Sequence, residues 1–91
     1  MIYSIDYSKS AQKEIAKWKK SNPVLFGKLR KILNDIIVHP REGIGHPEPL
    51  KGGNDVTYSR HITGHDRIVY DIYDESIRIL VLAVEGHYKD K

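Results

Sequence analysis

The chain has 91 residues, 40% hydrophobic and 30% charged, with a formal net charge of +3 and no cysteine. That length suits one small domain burying about 60–65% of its unfolded surface, and the missing cysteine excludes disulfides, thiolate chemistry and zinc–sulfur sites. No apolar run reaches the roughly 20 residues needed to span a bilayer, and MIYSIDYSKS lacks the basic and apolar segments of a secretory signal, so a cytoplasmic protein free of membrane is expected.

The first predicted element is a short strand in IYSIDY, where Tyr3, Ile5 and Tyr7 alternate with Ile2, Ser4 and Asp6. Ser8 or Ser10 can then cap a helix running to about Lys20, with Ala11, Ile15 and Trp18 on one face. Asn22 and Pro23 supply the N-cap and first residue of a second helix. Leu25, Leu29, Ile32, Leu33 and Ile36 form its apolar stripe, and Pro40 closes it. Eight cations lie between Lys9 and Lys31 against one acid, Glu14. This basic outer side of a helical hairpin suits a polyanion such as nucleic acid, or is simply a solvated face.

Residues 41–55 are dense in glycine and proline and read as a loop without an element of its own. Within it GHPEPLKG holds Glu48 between Pro47 and Pro49, a stiff mount for one carboxylate. Three strands follow, over Val56–Ile62, Arg67–Tyr73 and Ile77–Val84, the last expected to be central and buried on both faces. The order is β-α-α-β-β-β in one domain over residues 1–91. The fold class is α+β, with the hairpin on one face of a mainly antiparallel sheet and the other face free for function.

A carboxylate, an arginine, a histidine and a tyrosine make a coherent set for RNA cleavage. The RNA 2′-OH is an internal nucleophile, so a base, an acid and a cation for the charged transition state are enough, with no cofactor and no metal. Glu48 suits the base, His87 the acid, and Arg67 the charge stabiliser, since its planar fork binds phosphate oxygens bidentately. Tyr88 can bond to phosphate or stack on a base. Each also has a plainer reading: Glu48 as a solvated loop residue, Arg67 as an ion-pair partner of Asp66 or Asp71, and His87-Tyr88 as an edge contact. The other histidines lack metal-ligand spacing.

GHPEPLKG, YSRHI, HDRIVYDI and GHY together resemble the YoeB/Txe branch of the RelE/ParE toxin superfamily, most specifically over residues 43–70. The resemblance implies a small RelE-like fold and the toxin of a type II toxin–antitoxin pair, a ribosome-dependent endoribonuclease that cuts mRNA in the ribosomal A site. It places the general base on Glu48, the phosphate-binding arginine on Arg67, the general acid on His87 and the assisting tyrosine on Tyr88. Further phosphate contacts fall on Lys51 and Arg60, and on His61 where the family carries a second arginine. It also implies a homodimer and a YefM-like antitoxin. Further departures are the KDK that follows Tyr88, Tyr58 in place of a frequent tryptophan, and a KGGNDVTYSR loop that lacks the apolar residue and glycine relatives often place before the aromatic. Two other readings stay open: a non-enzymatic, ParE-like inhibitor of DNA gyrase, and an inactive antitoxin-binding remnant.

Overall fold

The computed structural model describes residues 2–50 and 55–85. Strand β1 (Ser4–Tyr7) leads into helix α1 (Lys9–Ser21) and helix α2 (Pro23–Ile36); β2 (Glu48–Pro49), β3 (Thr57–His61), β4 (Arg67–Tyr73) and β5 (Arg78–Glu85) follow. The strands form one sheet in the order β1-β5-β4-β3-β2. Among the described residues the β1–β5 pair is parallel and the other three pairings are antiparallel.

Local chemistry sets the helix boundaries. Ser8 is the N-cap of α1: its Oγ accepts from the Ala11 amide at 3.0 Å, satisfying one of the free N–H groups of the first turn. The same hydroxyl donates to the Leu82 carbonyl at 2.6 Å, tying the helix start to β5. Asn22 ends one helix and starts the next. Its amide donates to the Trp18 carbonyl, while its Oδ1 accepts from the Leu25 amide at 3.2 Å. Pro23 follows at the first helical position, where its missing N–H costs nothing.

Both helices bury their predicted stripes on one side of the sheet. Ala11 and Trp18 of α1 and Leu29, Ile32 and Ile36 of α2 meet Tyr58, Ile68, Tyr70, Ile72, Ile79, Val81 and Val84 in a single core. Leu29 is fully buried. Leu29→Ala should therefore lower unfolding stability by about 2–5 kcal/mol, read from a urea transition. A loss below about 0.5 kcal/mol, the size of an ordinary surface change, would contradict the packing described here.

Two expectations about the strands need correction. Strand β5 is flanked on both edges but not fully buried on both faces among the described residues: Ile79, Val81 and Val84 are buried, while Leu80, Leu82 and Ala83 are only partly so. A bulge accounts for one residue of its near-continuous apolar run. Val69 pairs with Ala83 and Tyr70 with Val81, leaving Leu82 as the extra residue. The glycine-rich stretch also contains an element after all. Glu48 and Pro49 add a short edge strand to β3, with Glu48 opposite Ser59 and Pro49 opposite Tyr58. Proline-enforced extended geometry suits a strand, and an edge tolerates a residue with no N–H to donate.

Candidate active site

Side-chain parity on β3 and β4 divides the sheet into two faces. Ile68, Tyr70 and Ile72 of β4 are buried beneath the helices, so Arg67, Val69 and Asp71 point the other way. Residues directly opposite one another on paired strands share a face. The register then gives two rows on the open face. One runs Glu48–Ser59–Val69–Ala83, and the next runs His61–Arg67–Glu85.

The open face thus brings three predicted site residues together. Glu48 is exposed on the edge strand, His61 is exposed at the end of β3, and Arg67 is half-buried at the start of β4. At the usual strand spacing, the Cα atoms of Glu48 and Arg67 lie roughly 10–12 Å apart, and Ser59, opposite Glu48, is buried. A carboxylate at the rim and two basic groups inward suit an anionic substrate lying across β2, β3 and β4. Lys51, His87 and Tyr88 lie outside the described residues.

Arg60 departs from its expected phosphate role. It shares the inward face of β3 with Tyr58 and is fully buried. Its Nε donates to the Tyr70 hydroxyl at 3.0 Å. Nη1 donates to Asp35 Oδ2 at 2.5 Å and to the Ile44 carbonyl at 3.0 Å. Nη2 donates to the His39 and Glu42 carbonyls. A guanidinium has five N–H donors, and these bonds account for all of them. No donor is left for a phosphate, and the basic residue of β3 that faces the open side is His61.

Two participants were missed in the sequence. Glu85 stands opposite Arg67 in register and puts a second carboxylate on the same row. Strand parity could have signalled it, had the end of β5 been placed one residue later. Asp35 is the acid of the buried pair with Arg60, and its place between Asn34 and Ile36 gave no such signal. Among the described residues, no group of three or more His, Asp or Glu side chains is placed to hold a metal ion.

A second arginine anchors the same loop. Arg41 bonds Asp55 at 3.2 Å and Asp74 at 3.0 Å, and lies 5.8 Å from the Tyr58 ring centre. The Arg41 hydrogen bond, with one from the Tyr3 hydroxyl, holds the Asp74 carboxyl below its ordinary range. The Tyr58 hydroxyl donates to Asp55 at 2.8 Å. These charges are substantially exposed, so their role is to orient segments more than to stabilise the fold.

Comparison with known proteins supplies the family. The profile of the YoeB-like toxins of bacterial type II toxin–antitoxin systems matches residues 7–88. A curated toxin YoeB from Escherichia coli O6:H1 (strain CFT073) is 37% identical over 71 residues, which is 78% of this chain and 82% of that protein. A YoeB dimer from Staphylococcus aureus superposes with a TM-score of 0.83 at 28% identity, covering 97% of this chain and 100% of that one. The toxin in a heterotetrameric YoeB–YefM complex from the same organism gives a TM-score of 0.81 at 28% identity, with the same coverage. With a match over nearly its whole length, joined to an open sheet face carrying Glu48 and Arg67, this chain belongs to the YoeB-like toxins of bacterial type II toxin–antitoxin systems.

Proposed function

We propose that this toxin is an endoribonuclease that cuts mRNA in the ribosomal A site, in the cytoplasm, and so arrests translation. The observation that carries this reading is the shared open face of Glu48, His61 and Arg67, set by strand register. The Glu48 carboxylate takes the proton of a ribose 2′-OH, and that oxygen attacks the adjacent phosphorus. The bond from phosphorus to the 5′-oxygen breaks, and that oxygen leaves with a proton from His87. One product ends in a 2′,3′-cyclic phosphate and the other begins with a 5′-OH. Arg67 holds the non-bridging oxygens as negative charge builds on them, where a fixed cation contributes most. His61 and Lys51 add contacts to flanking phosphates, and Tyr88 bonds to phosphate or stacks on a base.

Partners follow from the relatives. The Staphylococcus aureus toxin occurs as a dimer and in a complex with YefM, and the same two assemblies are proposed here, with a YefM-like antitoxin. The chemistry is tested by the ends of the RNA fragments made in a translation system. A 2′,3′-cyclic phosphate and a 5′-OH are expected. A 3′-OH paired with a 5′-phosphate would mean that water, not the 2′-OH, is the nucleophile.

A further inference from the structure

We infer that Arg60 and Tyr70 form a buried latch that positions Glu48 for the proposed cleavage, an inference that rests on that reading of Glu48. The segment leading to Glu48 is held through its carbonyl groups as well as through the Arg41 side chain. Arg60 takes the carbonyls of His39, Glu42 and Ile44. The Tyr70 hydroxyl donates to the Pro40 carbonyl at 2.7 Å and accepts from Arg60 Nε. The His61 amide donates to the Gly45 carbonyl at 2.7 Å. Five carbonyls within seven residues are thus fixed to β3 and β4, immediately upstream of the catalytic carboxylate.

The closeness of the fit shows that the segment is seated, not merely adjacent. Gly43 has φ +123°, and a Cβ there would lie 1.9 Å from Asp35 Oδ2. Gly45 has φ +80°, and a Cβ there would come within 2.7 Å of the His61 carbonyl oxygen. Only glycine meets both the backbone and the space requirement at these two positions. Asp35 closes the arrangement, accepting from Arg60 and from the Ile44 amide at 3.2 Å. Burial raises the pKa of the Tyr70 hydroxyl above its ordinary value.

The consequence for Glu48 comes from register. Strand β2 has only two residues, and a slip of one would turn its carboxylate to the other face of the sheet. A ladder that short sets its own register weakly, so the latch upstream decides which face Glu48 presents. Arg60 and Tyr70 do not touch the substrate; they are positioning residues.

Two variants test the latch, each by RNA cleavage and by amide hydrogen exchange of the free protein. Tyr70→Phe keeps the ring and removes the bonds to Pro40 and Arg60; Arg60→Lys keeps the charge and removes the fork. Tyr70→Phe should lower kcat by about 10- to 100-fold through misplacement of the base. KM and the binding of an RNA with a 2′-deoxyribose at the cut position should stay within about twofold, since Arg67 and His61 are untouched. The Ile44 amide should exchange at least about tenfold faster. Arg60→Lys should show the same pattern more strongly. A lower melting temperature with unchanged kcat per folded molecule would make both residues merely structural and overturn the inference. Unchanged Ile44 exchange in Tyr70→Phe would overturn the latch whatever the activity shows. A wild-type chain that cuts no RNA while its Ile44 amide still responds would overturn the proposed function and the catalytic role of the latch, leaving a loop anchor.

Discussion

Glu48→Gln is expected to slow RNA cleavage by about 10²–10⁴-fold, the usual contribution of a positioned general base. The substitution keeps the size and the hydrogen-bonding reach of the side chain but cannot hold the 2′-OH proton. Glu48 is exposed on an edge strand and packs into no core, so the unfolding midpoint should barely move. Single-turnover cleavage and a thermal melt on the same preparation separate the two effects. A parallel loss of rate and stability would make Glu48 a structural residue and leave the base unidentified.

The second large effect is expected at Arg67. Removing one preorganised donor from a developing anion typically costs about 10²–10³-fold in kcat, and Arg67→Ala should fall in that range. Arg67→Lys should recover only part of the loss. A lysine presents a point charge, whereas the guanidinium meets two phosphate oxygens at once. The loss should appear in kcat more than in KM, because the added charge exists in the transition state and not in bound RNA. A rise in KM alone would mean that Arg67 binds the substrate equally in both states and does not assist the chemistry.

The helical half of the fold was legible because its signals are local. Asn22 followed by Pro23 announces a helix start within two residues, and the stripe of Leu29, Ile32 and Ile36 announces its buried face. Strand β4 was equally plain, since Ile68, Tyr70 and Ile72 alternate without interruption. The parts that were not legible depend on distant partners. Nothing near Ser4–Tyr7 indicates that this strand pairs in parallel with Arg78–Val81, more than 70 residues on. The bulge at Leu82 exists only relative to Val69 and Tyr70, and the half-buried Leu80 and Ala83 completed a run that imitated a strand buried on both faces.

Arg60 shows how charge can hide a signal that is present. The parity of Tyr58, Arg60 and Ile62 places this arginine on the same side as two aromatic or aliphatic neighbours, which is the side of the core. Its charge suggested a surface role, and its cluster of carbonyl acceptors comes from a loop 16 to 21 residues earlier. Buried guanidinium groups are tolerated only when all their donors are met, and that condition cannot be read from one strand. The prolines around Glu48 were informative about stiffness, but the face of the sheet that Glu48 occupies follows from its pairing with Ser59.

The central claim is that the open-face carboxylate cuts RNA held by the ribosome. It is tested most directly by mapping mRNA 5′ ends in a purified translation system with the wild-type chain and with Glu48→Gln, each with and without ribosomes. Cuts within A-site codons that require ribosomes, and that disappear in the variant, are the predicted result. Wild-type cuts that persist in Glu48→Gln would contradict the assignment of the base, and an uncut mRNA in every reaction would contradict the nuclease itself.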